Sequence, residues 1–315
     1  MVNLGRMLPS FAMFRPSMVA RGAALAAVGL LAAASIARAQ SAPRNQVPGP
    51  VVVQGAMDVE VRALVAALES PVEEHVGGWT FWRGAIGGAP VVVSKTLKGM
   101  ENAAAATALA IERYHPSAII NQGTAGGHDP ALHVADIVVG LETVNTGSFK
   151  TGDRKRGEGS LFSSWTPLDL NRSEGSASQD PNARRMRRFA ADPTLLAAAR
   201  QARRRYSKSA VVEGVIASSD IWNSELDRIA WLHDTFGTTA EEMEAASAAQ
   251  IAAVYGVPFL AVRVISNNIT NGGAYDRNTG EIGQEFVLLT VRSYLGGRVE
   301  GGSHSISKQR DSVRH

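Results

Sequence analysis

Five short stretches hold side chains able to do chemistry, and each follows an apolar run or opens a helical one. They are Gly55-Ala56-Met57-Asp58-Val59-Glu60, Gly123-Thr124-Ala125-Gly126-Gly127, Ser218 to Asn223, Glu242-Met243-Glu244, and Arg263 to Asn268. Between them they hold carboxylates able to take or give protons, amides, an arginine and an aromatic. The glycine-rich turn at Gly123–Gly127 offers backbone N–H groups to an anion or a sugar. It lacks the Gly-Lys-Ser/Thr of a phosphate-binding loop and the glycine spacing of a dinucleotide fingerprint. The chain has no His-Glu-x-x-His, Gly-x-Ser-x-Gly or EF-hand pattern, so metal-assisted and serine hydrolysis lack their residues. Taken singly, each stretch has a plainer use. Glu60 and Glu244 suit the first turn of a helix, where the dipole favours acids, while Met243 and Trp222 suit a core.

These stretches must be positioned by the elements between them. Val51–Gln54 is a short continuous apolar run, the pattern of a strand buried on both faces, and Ala118–Gln122, Val211–Ala217 and the largely apolar Pro258–Ile265 read as further strands. Asp136–Glu142 is a further strand. Trp79–Ile86 and Pro90–Leu97 flank Gly87-Gly88, a hairpin signal. Helical spacing covers Asp58–Leu68, Glu101–Tyr114, Pro193–Tyr206, Ser224–His233, Met243–Tyr255 and Glu281–Leu295. Strands alternating with helices predict a single three-layer αβα domain around a mixed sheet. In such a sheet, ligands bind beyond the carboxyl ends of the strands, where the five stretches fall.

Composition trims the alternatives. At 45% hydrophobic residues the chain is too apolar for a disordered one, and zero Cys removes disulfide scaffolds, thiolate zinc sites and thiol catalysis. The basic balance, +3 with pI near 9.3, suggests nucleic acid until its location is read. Residues 1–39 read as a cleavable signal peptide: an acid-free arginine-bearing start, an Ala/Leu/Val run, and Ala37-Arg38-Ala39 for cleavage. They carry Arg6, Arg15, Arg21 and Arg38, so the mature chain falls to −1. Export to the periplasm or medium is expected, with no membrane attachment after cleavage and no nucleic-acid partner. Residues 40–49 read as a linker, 50–295 as the domain, 150–189 as a polar Arg-rich insertion, and 296–315 as a disordered tail.

The five stretches, in this order and spacing, resemble the nucleoside phosphorylase/nucleosidase superfamily, and within it the 5′-methylthioadenosine/S-adenosylhomocysteine nucleosidases. The segments that carry it are Gly55–Val61 (GAMDVEV), Thr96–Ala104, Ile119–Gly127 with Val134–Val139, Ser218–Asn223, Met243-Glu244-Ala245 and Val262–Ser266. The resemblance spans roughly residues 51–295.

It implies hydrolysis of a purine N-glycosidic bond, without cofactor or metal, in a homo-oligomer such as a dimer. Glu60 matches the carboxylate that activates water. Glu244 matches the one that grips the ribose hydroxyls, with Met243 against the sugar. Arg263 matches a residue steadying this network. Thr124, in place of a family Ser, lies with Ala125, Gly126 and Ser266 along the nucleoside, and Trp222 falls near the base-stacking aromatic. Asn267 departs from the pattern, because the nucleosidases place there an Asp that protonates the departing purine. An amide cannot do so, though it can hydrogen-bond a ring nitrogen and a 6-oxo group. That turns the expectation toward inosine- or guanosine-like substrates or slow catalysis, with Asn268 a partial substitute. A phosphorylase using Arg83 or Arg263 for phosphate, or a non-catalytic nucleoside-binding store, stands beside the hydrolase.

Overall fold

The computed structural model describes residues 49–171 and 185–311; the leader, nearly all of the linker, and residues 172–184 and 312–315 lie outside it. The main sheet has ten strands in the order β11-β6-β12-β13-β5-β1-β4-β3-β2, with β14 joining both β5 and β6. Its members are β1 (Val51–Gly55), β2 (Glu69–Val76), β3 (Trp79–Ile86), β4 (Ala89–Lys95), β5 (Ala118–Gly127), β6 (Ile137–Asn145), β11 (Arg188–Ala190), β12 (Val211–Ser218), β13 (Thr238–Glu242) and β14 (Phe259–Asn267). Short ribbons, β7 (Phe149–Lys150) with β8 (Thr166–Pro167) and β9 (Leu170–Asn171) with β10 (Arg185–Met186), lie in the insertion. Because β5 pairs with β13 and β14, β14 with β6, β6 with β12, and β12 with β13, these five strands close into a ring.

The continuous apolar runs serve two cores at once. Val51 and Val53 face one cluster and Val52 the other; Ile120 and Ile119 divide in the same way, as do Val262 and Ala261. One cluster lies under α1 (Asp58–Ala66), α3 (Pro193–Arg203) and α6 (Thr279–Asp311), the other under α2 (Met100–Tyr114) and α5 (Ala245–Tyr255). Helices on both faces give the three layers expected. The Gly87-Gly88 turn takes φ of +59° and +74°, values that glycine adopts without strain, and the hairpin forms as read.

Several elements differ from expectation. β2 has no apolar alternation and a proline at Pro71, so nothing in its pattern reads as a strand. It forms as a charged, mostly exposed edge, where a missing N–H is tolerated and charge discourages further pairing. The final helix runs from Thr279 past Leu295 to Asp311, with no proline to interrupt it.

The insertion's ends are more firmly held than a solvated loop. Phe149 and Phe162 each stack 5.6 Å from Trp231 on α4 (Leu226–Phe236), and Arg187 lies 5.3 Å over the Phe149 ring. Arg187 pairs with Asp169 and Arg188 with Glu142, so this part of the arginine run is spent within the fold.

Candidate active site

A cleft opens at the carboxyl ends of β1, β5, β12, β13 and β14. Glu60, Thr124, Ala125, Gly126, Trp222, Met243, Glu244, Ser266 and Asn267 all line it; Arg263 does not.

Glu60 stands on the first turn of α1 and is 2% exposed. Its Oε2 accepts from the Ala56 and Met57 backbone N–H groups at 2.9 and 3.1 Å, so it does cap its own helix. Its Oε1 accepts from the backbone N and Oγ1 of Thr124 at 2.9 and 3.1 Å. Four donors therefore fix one carboxylate at the cleft wall. Gly123 permits this approach, since a Cβ there would lie 2.9 Å from Glu60 Oε1. The hydroxyl of Thr124 is spent on Glu60 rather than facing the cleft freely.

Glu244 precedes α5, and its Oε1 accepts from the Gly99 N–H at 2.9 Å, at the start of α2. Burial, and then the neighbouring charge of Glu242, push its carboxyl up from 4.5 to about 8. The Glu60 charge adds to the same rise. A carboxyl raised in the folded chain contributes stability that is fully present below its unfolded value and is lost as pH climbs through the folded one. The unliganded protein should therefore lose stability between about pH 4.5 and 8. Glu244→Gln should flatten that slope when thermal midpoints are compared across the range.

Arg263 supports the site without lining it. It is 1% exposed and sits behind the cleft. Its Nε donates to Glu242 Oε2 at 3.0 Å, its Nη2 to the same oxygen and to Asn121 Oδ1, and its Nη1 to the carbonyls of Asn121 and Val262. Glu242 in turn accepts from the backbone N–H groups of Glu244 and Ala245 at the start of α5, and from Ser218 Oγ. Arg263 thus steadies Glu242, and Glu242 holds the turn carrying Met243 and Glu244. It cannot serve as a phosphate ligand in this arrangement. Nor can Arg83, which lies on β3 beside Glu74 outside the cleft.

Asn267 ends β14, its Oδ1 accepting from Ser266 Oγ at 3.0 Å. Asn268 is no substitute. It is fully buried, its Nδ2 donates to the carbonyls of Asp129 and Leu132 at 2.8 Å, and its Oδ1 accepts from Thr270. The side chain secures a turn. Trp222 is not a core residue. It is 67% exposed at the cleft mouth, edge-on to Tyr275 at 5.6 Å.

A second acidic group lies at sites that no local motif marked. Glu241 and His128 both line the cleft and are buried, with His128 Nε2 3.3 Å from Glu241 Oε2. Burial opposes ionisation of Glu241, but His128, Asn223 and Ser219 outweigh it and hold the carboxyl below its ordinary value. Lys98 is the cleft's other basic side chain among the described residues. Asp220 takes the Met100 N–H at 2.9 Å, so the start of α2 already faces two carboxylates.

The family model described as Phosphorylase superfamily matches residues 50–292. The chain is 34% identical over 218 residues to 5′-methylthioadenosine/S-adenosylhomocysteine nucleosidases of Bacillus thuringiensis and Bacillus anthracis, covering 69% of this chain and 85% of each relative. A nucleosidase of that name from Neisseria meningitidis, solved with methylthio-immucillin-A, superposes with TM-score 0.62 at 27% identity over 78% of this chain and 99% of that one. One from Colwellia psychrerythraea, solved with adenine, gives 0.61 at 26% over 78% and 96%. The chain belongs to the phosphorylase superfamily and stands there among its purine nucleosidases.

Proposed function

We propose that the cleft hydrolyses the N-glycosidic bond of purine nucleosides by the route of the 5′-methylthioadenosine/S-adenosylhomocysteine nucleosidases. The observation that carries this is the pair of buried carboxylates, Glu60 and Glu244, on walls of one cleft and close enough that the Glu60 charge helps to raise the Glu244 carboxyl. As the C1′–N9 bond breaks, its electron pair leaves with the base and C1′ becomes oxocarbenium-like. Glu60 holds a water against that face and takes its proton as the new C1′–O bond forms. Glu244 accepts hydrogen bonds from the ribose hydroxyls, with Met243 packed against the ring. Asn267 donates a hydrogen bond to the departing base, which leaves as its anion and takes a proton from solvent while Glu60 returns its own to solvent, and Trp222 covers the base at the mouth.

Water is favoured over phosphate by the charge of the walls. Glu60, Glu241, Glu242 and Glu244 all line the cleft, Arg263 is consumed by Glu242, and His128 by Glu241. A phosphate dianion would find Lys98 and little else. The test is release of free base, measured by chromatography, from methylthioadenosine, adenosylhomocysteine, adenosine and inosine, with and without phosphate. Base in both conditions is expected. Release only with phosphate would overturn hydrolysis, and none from any nucleoside would leave a binding or storage protein.

The reading extends to place and assembly. The acid-free leader with its Ala-Arg-Ala site supports an exported enzyme, periplasmic or secreted, that acts on nucleosides outside the cytoplasm; a homo-oligomer such as a dimer rests on the superfamily resemblance alone.

A further inference from the structure

One cation of the cleft takes no part in bond cleavage. Lys98 lines the cleft from the turn between β4 and α2, and its side chain is exposed at the rim. The cleft's ion pairs among the described residues join His128 to Glu241 and Arg263 to Glu242, and Lys98 belongs to neither. The turn that carries it is pinned at each residue. The Leu97 carbonyl accepts from Thr96 Oγ1 at 3.1 Å, and the Lys98 carbonyl accepts from Asn102 Nδ2 at 2.8 Å. The Gly99 N–H donates to Glu244 and the Met100 N–H to Asp220, both at 2.9 Å. These bonds hold Leu97 at φ +63° and Gly99 at +101°, the first a costly value for a bulky residue. The backbone of Lys98 is therefore fixed, and only its flexible stem is free to move.

Sheet order decides which part of a nucleoside Lys98 meets. Strands β13, β5, β1 and β4 lie side by side, about 4.8 Å apart. The base belongs at one end of this row, where register sets Gly126 of β5 between Glu241 of β13 and Asn267 of β14. Glu60 follows β1 and stands at C1′, while Glu244 reaches across the cleft to Gly99 and holds the ribose hydroxyls. Lys98 follows β4, on the far side of Glu60 from the base. A nucleoside laid along this row sends its C4′–C5′ arm toward Lys98. An anion bonded directly at C5′ would lie close to the buried acids Glu60 and Glu244. One several bonds further along the arm clears them and meets the ammonium at the rim.

We propose that Lys98 is a specificity-determining residue that selects nucleosides whose 5′ arm ends in a carboxylate, its ammonium pairing with that group at the cleft mouth. This rests on the nucleosidase reading and concerns the tail alone. A lysine suits the task, because a point charge on a flexible stem follows a tail that is itself flexible. Being open to solvent, the pair is a modest one that salt weakens. Of the nucleosides named above, adenosylhomocysteine carries such a carboxylate and methylthioadenosine does not.

The test uses 5′-(3-carboxypropylthio) nucleosides of adenine and of hypoxanthine, each against its primary amide, which has the same shape and no charge. Release of free base gives kcat/KM for all four. At low salt the acid is expected to lead its amide by about threefold to tenfold, chiefly through KM, and the lead should shrink as salt rises. Lys98→Met should abolish the lead and Lys98→Arg should keep it, whereas a purely structural residue would move acid and amide together. No lead in the wild-type protein, or the same lead in Lys98→Met, overturns the assignment and leaves the nucleosidase reading standing. So does a failure to cleave all four while methylthioadenosine or inosine is cleaved. If Lys98→Met does not fold, the wild-type lead and its salt dependence decide. No base from any nucleoside sinks the nucleosidase reading, and this assignment with it.

Discussion

Glu60→Gln should cut base release by about 10²–10⁴-fold on every nucleoside the protein cleaves, with the fold intact. The amide fills the same space and keeps one oxygen for the Ala56 and Met57 N–H groups or for Thr124, but not both sets at full strength. What it loses entirely is the ability to take a proton from water. The two consequences separate cleanly. A weakened cap costs about 0.5–2 kcal/mol of stability, visible as a modest drop in unfolding midpoint. Loss of the base appears in kcat, with KM little changed, because Glu60 contacts the water rather than the nucleoside. A fall in Tm with turnover unchanged would reduce Glu60 to a helix cap and remove the central claim.

Arg263→Met should cost about 3–5 kcal/mol of stability, because it leaves Glu242 charged and unpaired in the interior. Arg263 and Glu242 each have side chains 1% exposed, so water cannot make up the loss. The damage extends to function by a defined route. Glu242 is the acceptor that fixes the N–H groups of Glu244 and Ala245 at the start of α5, and a disturbed Glu242 releases the sugar-gripping turn. Adding Glu242→Gln to Arg263→Met removes the orphan charge and should recover part of the stability, since that amide can still accept the α5 N–H groups. Denaturant unfolding of the single and double variants measures the recovery, and an additive double variant would show that the pair is not coupled.

The buried strands were plain in the sequence because burial on both faces writes itself as uninterrupted Val, Ile and Leu. The five chemical stretches were plain because the carboxyl ends of such strands are where side chains converge. Two elements escaped for opposite reasons. β2 is charged because it is an edge, so its sequence carries solvent's signature rather than a sheet's. β13 is Thr-Thr-Ala-Glu-Glu, buried yet polar, because its side chains are partners for Arg263, His128 and Ser218 that come from remote parts of the chain. No local pattern announces a buried acid whose hydrogen-bonding partner lies 113 residues away, as His128 does from Glu241. Arg263 supports the carboxylate network from behind the cleft: spacing brings a residue to a site, while only packing decides whether it faces substrate or supports the group that does.

The closed ring of β5, β14, β6, β12 and β13 bears on how the site behaves over time. A strand in an open sheet can peel away by breaking one ladder at its edge, but each of these five is bonded on both sides. Amide protons along them should therefore exchange only with the slowest, global opening, while the β2–β3 edge exchanges through local fraying. The cleft floor is then preformed, and substrate need not fold any part of it into place. What remains free to adjust is the pair of loops at the mouth, around Trp222 and Tyr275. Differences in substrate range among proteins built this way should accordingly concentrate in those two loops, with the ring beneath them left alone.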